Sequence, residues 1–236
     1  MAPVYSIILT SLLRTPEHKK TVEECLNSVI NCTNWDETEL IVSDDGSPMD
    51  MKFLIKESDI YIRRKSPLGC SWGWNQGIKV ANGQYYIILS DDVVVNPGWI
   101  ECMREALDKF PNSMASAPRV DKLDYIPGVV HEYRSWFPGC LFMLRKETID
   151  KIGYFDTLFH PFNYEDVDYW TRIYKAGYTV ARNYKVLVWH KEGQVIHNLD
   201  YSEKVNNDNR ERYLKKWGFD PIPILYGGDK FPWESS

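Results

Sequence analysis

No apolar run in this chain approaches the roughly 18 residues that a membrane-spanning helix needs. The start, Met1-Ala2-Pro3, lacks the charged region that opens a secretory signal. The chain therefore reads as soluble and cytoplasmic, with no integral membrane segment. Cysteine is scarce: the five residues Cys25, Cys32, Cys70, Cys102 and Cys140 form no C-x-x-C pair and keep no regular spacing against histidine. Reduced, mostly buried thiols are expected, and a zinc site is not. An excess of positive charge is also missing. The net charge of −5 gives no overall attraction to phosphate polymers, so a nucleic acid is not the favoured partner. The clusters Arg63-Arg64-Lys65 and Arg210, Arg212, Lys215, Lys216 still leave a local basic groove open, although such clusters are more often solvated faces. Neither an internal repeat nor an interdomain linker interrupts the 236 residues.

What remains is an ordinary globular mixture, 44% apolar and 26% charged, enough for a continuous core. The runs Tyr5 to Leu9, Glu39 to Ser43, Ile60 to Ile62, Tyr85 to Leu89 and Met114 to Pro118 suit strands of a parallel sheet, several of them buried on both faces. Between them lie helical segments: one with Val22, Cys25, Leu26 and Val29 at helical spacing, a short one over 50–57, one ending at Val80, and one from Trp99 to Phe110. Strands alternating with helices predict βαβ units. After Pro118 the alternation fails. Residues 119–138 predict an irregular or antiparallel segment running into Cys140 to Leu144. A helix from Glu165 to Lys175 ends at the C-cap glycine Gly177. Tyr178 to Ala181 and Val186 to Trp189 predict a strand or short hairpin, and 203–217 a last helix. The Pro- and Gly-bearing tail, 218–236, predicts an ordered arm or lid without regular structure. The expected fold is thus one α/β, Rossmann-like domain over 1–217. Its sheet is mostly parallel over 1–98 and gives way to a smaller mixed region over 99–217.

In open α/β sheets, ligands bind beyond the carboxyl ends of the strands. Two acidic pairs fall at such ends, Asp44-Asp45 and Asp91-Asp92. Paired carboxylates need cations or hydrogen-bond donors to share a site, and a hard divalent cation is the simplest partner. The sequence Asp44-Asp45-Gly46-Ser47 also suits a turn with an N-cap. Asp91-Asp92 is harder to explain that way, because Val93-Val94-Val95 follows directly. A third cluster, Glu165-Asp166-Val167-Asp168, opens a predicted helix. Asp168 pairs with Arg172 at i, i+4, which leaves Asp166 as a candidate base. His190, at the end of an apolar strand, is a candidate metal ligand beside carboxylates.

Taken in order, these segments resemble glycosyltransferase family 2 of the GT-A fold over roughly residues 4–195. Val42-Ser43-Asp44-Asp45-Gly46-Ser47 is similar to the family's V-x-D-D-G-S segment. Gly69 with Asn75-Gln76-Gly77, and Ala81-Asn82-Gly83-Gln84-Tyr85, resemble its G-x(5)-N-x-G and A-x-G-x-Y segments. Ser90-Asp91-Asp92 stands at its D-x-D, with serine for the first acid. Gly139 to Arg145, Gly153-Tyr154-Phe155-Asp156 and Tyr164 to Asp168 resemble its acceptor side. Thr10, Leu12 and Trp74 depart from the pattern.

The resemblance implies an inverting transfer from a nucleotide-diphosphate sugar, UDP- or dTDP-linked, with Mn²⁺ or Mg²⁺, to a hydroxyl-bearing acceptor of undetermined class. It assigns Asp44 to the nucleobase, Asp92 to the metal, Asp166 to the base, and His190 to the metal or diphosphate. Ser11, Arg14, Asp45, Asn75 and Asp91 complete the expected donor set. Trp136, Gly139, Glu165 and Trp170 form the expected acceptor set, with Trp72, Trp74, Trp136 and Trp170 as candidates to stack on sugar rings. A nucleotidyltransferase fits less well, because Leu9 to His18 contains no glycine-rich phosphate loop. A sugar-nucleotide-binding protein without turnover is the alternative from outside the enzymes.

Overall fold

The computed structural model describes residues 2–121, 130–133, 138–191, 202–227 and 230–234. The strands are β1 (Tyr5–Ser11), β2 (Thr38–Asp44), β3 (Ile60–Arg63), β4 (Tyr85–Ser90), β5 (Val93–Val94), β6 (Ser113–Val120), β7 (Val130–Tyr133), β8 (Leu141–Arg145) and β9 (Thr179–His190). The helices are α1 (Pro16–Cys32), α2 (Lys52–Glu57), α3 (Cys70–Val80), α4 (Trp99–Lys109), α5 (Lys146–Ile152), α6 (Glu165–Lys175), α7 (Ser202–Trp217) and α8 (Pro221–Gly227). Among the described residues the strands join in one sheet, ordered β3-β2-β1-β4-β8-β6-β9-β5, with β7 added against β9.

The strands β3, β2, β1 and β4 run parallel. Next, β8 enters antiparallel between β4 and β6, and β9 runs parallel to β6. The result is a mixed sheet around a parallel centre. Alternation along β1 builds two cores from one strand. Ile7 and Leu9 pack under α1 and α4 with Val22, Leu26, Trp99 and Leu107. Ile8 faces the other layer, where Trp74 and Ile78 of α3 and Tyr169, Trp170 and Ile173 of α6 gather around Phe142. Strands buried on both faces produce the continuous apolar runs seen in the sequence.

Two expectations change. The pair Tyr178 to Ala181 and Val186 to Trp189 is a single twelve-residue strand, β9, and not a hairpin. A register shift in its pairing with β6, between Pro118 and Arg119, absorbs the intervening residues as an irregularity. The tail also contains regular structure. Asp220 Oδ1 accepts from Ile222 N, with Pro221 as the first residue of α8, and a 3-10 turn follows at Pro232–Glu234. Phe231 packs at 5.5 Å from Tyr174 and stacks at 4.6 Å on Trp233, which ties the tail to the sheet's second core.

The close fit of α3 on β1 sets the depth of the layer. A Cβ added at Gly77 would come within 2.3 Å of Ile8 Cγ2. Gly77→Ala is therefore expected to lower stability by about 1–3 kcal/mol through overpacking, despite the better helix propensity of alanine. Urea unfolding measures this, and an unchanged midpoint would mean that the two layers pack less closely than described.

Candidate functional site

Because β1, β2 and β4 are parallel, their carboxyl ends share one edge of the sheet. The direction of β8 brings its amino end, Gly139-Cys140, to the same edge, where Ser90 N donates to Cys140 O at 2.8 Å. The carboxyl end of β9 arrives there too, and Val93 of β5 pairs with His190. A cavity of about 950 Å³ opens at this edge. Its wall carries Ser11, Arg14, Asp45, Asp91, Asp92, Gly139, Glu165, Asp166 and His190 among the residues expected from sequence.

The three carboxylates on the strand side are held differently. Asp45 accepts from Leu68 N at 2.9 Å and Gly69 N at 2.8 Å, with Arg64 at 3.5 Å. Burial raises its pKa against these donors. Asp91 accepts a 2.5 Å hydrogen bond from Ser11 Oγ and lies 3.2 Å from His18 Nε2. Burial disfavours the charged form of His18, but contact with Asp91 outweighs it and raises the histidine's pKa. Asp92 Oδ1 is buried and finds no aligned hydrogen-bond donor among the described residues. It lies 3.3 Å from His190 Nε2. Burial works against the imidazolium there too, yet Asp92 and the Cys140 thiol push the pKa of His190 up to about 11. A divalent cation could share the Asp92 oxygen with this imidazole by displacing the proton that Asp92 favours on it. Among the described residues no group of three or more His, Cys, Asp and Glu side chains gathers to hold a metal.

The opposite wall is the start of α6. Asp166 Oδ2 accepts from Gly139 N at 2.9 Å, and Oδ1 accepts from Val167 N at 2.7 Å. These amides and the helix N-terminus favour its charged form. Burial, and next the charge of Asp166, hold the pKa of Glu165 well above the usual carboxylate range. The two adjacent acids are thus held unequally, with Glu165 pushed toward its neutral form and Asp166 given backbone donors. Asp168 lies away from the cavity, bonded to Arg172 Nε at 3.0 Å and Trp217 Nε1 at 2.8 Å, in the structural role expected for it.

Three expected site residues are placed elsewhere. Asp44 is fully buried and absent from the cavity wall. Its carboxylate accepts from Gly46 N, Ser47 N and Tyr61 Oη and pairs with Arg63 at 3.0 Å, which consumes its capacity. Asn75 clamps Phe155, donating to its carbonyl at 2.8 Å and accepting from its amide at 2.9 Å. Trp170 is fully buried, edge-on to Phe142 at 5.0 Å, and offers no face to a sugar. Trp136 lies outside the described residues. Of the other tryptophans considered, Trp72 lines the cavity with Arg64 over its ring at 5.2 Å, and Trp74 also reaches its wall although it is largely buried in the core. Sequence reasoning missed His18, which sits behind Asp91 from a helix distant in sequence. It also missed His160 to Asn163, Asn206 and Ile222 on the cavity wall. No spacing signal marks these residues, since loops and the late helices α7 and α8 deliver them.

An open α/β sheet with its acid-lined crevice beyond the strand ends defines the class of protein. The sequence pattern of Glycosyl transferase family 2 matches residues 6–170, and the chain belongs to that family. Similar curated proteins include the Poly-beta-1,6-N-acetyl-D-glucosamine synthase of Staphylococcus aureus, 28% identical over 175 residues that cover 69% of this chain and 42% of that protein. The Putative polypeptide N-acetylgalactosaminyltransferase 13 of Drosophila melanogaster is 30% identical over 100 residues, 36% of this chain and 18% of that protein. The chain spans less than half the length of these relatives. Among solved structures, GalNAc-T7 with UDP, GalNAc and Mn²⁺ superposes with a TM-score of 0.71 at 14% identity, covering 92% of this chain and 49% of that one. Residues 1–349 of S. aureus TarS superpose with a TM-score of 0.61 at 13% identity, covering 94% and 75%. The fold is therefore the GT-A glycosyltransferase fold.

The clamp on Phe155 makes Asn75 a stability residue. Asn75→Ala leaves both backbone groups of Phe155 without partners, at a cost of about 1–3 kcal/mol. Denaturant unfolding should show that loss. Unchanged stability with lost nucleotide binding would return Asn75 to the donor site.

Proposed function

We propose that this chain is a metal-dependent, inverting glycosyltransferase that moves a hexosyl or pentosyl group from a nucleotide-diphosphate donor to an acceptor hydroxyl. The observation that carries the reading is the meeting, across one cavity, of Asp92 with His190 on the strand side and Asp166 on the helix side. One wall suits a diphosphate and its cation, and the other suits a proton acceptor. UDP is the favoured nucleotide, as it is bound in the GalNAc-T7 structure, with an N-acetylhexosamine as its sugar, the group that the names of the two curated relatives carry.

Asp92 and His190 would hold the cation, Mn²⁺ in the first instance and Mg²⁺ as the alternative. When bound it would neutralise the diphosphate as the leaving group gains charge. Asp45, deep in the crevice beside the Leu68 and Gly69 amides, takes the nucleobase role that Asp44 is too enclosed to fill. Ser11 and Asp91 bind as a pair, since the serine hydroxyl is already committed to the carboxylate, and Arg14 supplies positive charge at the rim.

Asp166 accepts the proton of the acceptor hydroxyl as that oxygen attacks the anomeric carbon from the face opposite the diphosphate, which inverts the configuration. Burial and the charge of Asp166 push Glu165 beside it toward the neutral form. Gly139 orients the base through its amide, and Trp72 is the aromatic face on the wall for a sugar ring. The five free cysteines suit a reducing compartment, and we place the reaction in the cytoplasm.

Asp166→Asn should cut the turnover of UDP-GlcNAc or UDP-GalNAc, read as UDP release, by about 10²–10⁴-fold while the affinity for UDP with Mn²⁺ holds. An Asp166→Asn variant as active as the wild type would remove the residue from this role.

A further inference from the structure

The base stands on an unusual piece of backbone. Asn163 and Tyr164, directly before Glu165 and Asp166, have φ of 70° and 71°. Side-chain-bearing residues seldom adopt this left-handed region, and two in succession need restraint from outside the loop. The restraint comes from α7. Asn209 is fully buried there, and its Nδ2 donates to Phe162 O at 2.8 Å and to Asn163 O at 2.9 Å. Its Oδ1 accepts from Arg212 Nη1 at 2.7 Å, and the same guanidinium nitrogen reaches Leu158 O and His160 O at 3.2 Å. Because arginine only donates, this contact fixes which way the Asn209 amide faces. On the other side of the loop, Pro161 O accepts from Cys70 N at 2.9 Å, and a Cβ at Gly69 would come within 2.1 Å of that oxygen.

Loop 158–164 is therefore held between α3 and α7. In turn α7 is fastened to α6 by the 2.6 Å bond between Tyr213 Oη and Thr171 Oγ1 and by Trp217 Nε1 on Asp168. This anchoring lies beyond residue 170, where the match to the family pattern ends.

We propose that Asn209, oriented by Arg212, is a positioning residue for the catalytic base: it holds the left-handed turn at Asn163-Tyr164 that delivers Asp166 to the cavity. The inference rests on the reading of Asp166 as the base. A misplacement of the base by about 1 Å is expected to cost roughly 10²-fold in rate, without affecting the strand-side wall that binds nucleotide.

The test compares wild type, Asn209→Ala and Arg212→Gln, the last a milder change at a partly exposed residue should the first fail to fold. UDP release from UDP-GlcNAc and UDP-GalNAc with Mn²⁺ gives kcat and KM, and hydrogen exchange with mass spectrometry follows the peptide spanning 158–167. Asn209→Ala should lower kcat by about 10²-fold, leave the donor KM within about twofold, and speed exchange in that peptide ahead of α3 and β4. Adding Asn163→Gly, which adopts a positive φ without side-chain strain, should restore at least about a tenth of wild-type kcat. Wild-type kcat and wild-type exchange in Asn209→Ala and Arg212→Gln would overturn the proposal. So would a fall in kcat accompanied by an equal loss of donor affinity and no rescue by glycine. If the wild type turns over no sugar nucleotide, the proposed function fails. The exchange measurement then still decides whether Asn209 holds the turn.

Discussion

The structure depends most on the shared direction of β1, β2, β4 and β9. Each strand ends at the same edge of the sheet, and each ends in a polar residue at or just beyond its last apolar one: Ser11, Asp44 with Asp45, Ser90 with Asp91 and Asp92, and His190. Burial on both faces fixes strand direction and register, because a one-residue slip would turn Ile7, Leu9, Ile87 and Leu89 out of one core and into the other. The hydrophobic cores therefore dictate where the acids stand. The antiparallel entry of β8 completes the edge by bringing the Gly139 amide to Asp166 from a strand that runs the opposite way.

Crowding carboxylates at one edge carries an electrostatic cost, and the protein meets it unequally. Asp44 is satisfied by a turn, a tyrosine and an arginine, and so becomes structure. Asp91 has Ser11 and His18. Burial pushes Glu165 toward its neutral form. Among the described residues Asp92 and Glu165 each keep a buried oxygen without an aligned donor, and Asp92 faces the partly covered His190. This gradation separates structural acids from functional ones better than their order in the chain does.

The parallel half was legible in the sequence because doubly buried strands leave uninterrupted apolar runs, and α1 because Val22, Cys25, Leu26 and Val29 all reach the core. β9 was read as two pieces because its irregular pairing with β6 breaks the apolar pattern in mid-strand. At the site, spacing located the right loops but not the direction of each side chain. Asp44 and Asp45 are adjacent and yet face a closed turn and an open cavity. Trp170 shares the Asp166 face of α6, but one helical turn of about 5.4 Å carries it from the cavity rim into the core. Asn75 and Gly77 fit a family pattern for reasons of packing, a backbone clamp and a close helix approach. The support that α7 gives to loop 158–164 was not legible, because which backbone carbonyls Asn209 and Arg212 reach is set by the tertiary fold.

The central claim is that one cavity holds a nucleotide diphosphate through a cation on Asp92 and His190. Thermal stabilisation by UDP, dTDP, GDP, CDP and ADP, each with and without Mn²⁺, tests it most directly, since a ligand that binds only the folded chain raises its apparent stability. The account predicts a marked rise in Tm with UDP and Mn²⁺ together, little with either alone, and loss of the joint effect in Asp92→Ala. A wild-type Tm that no nucleotide moves under any metal condition would contradict it, as would a rise that survives in Asp92→Ala.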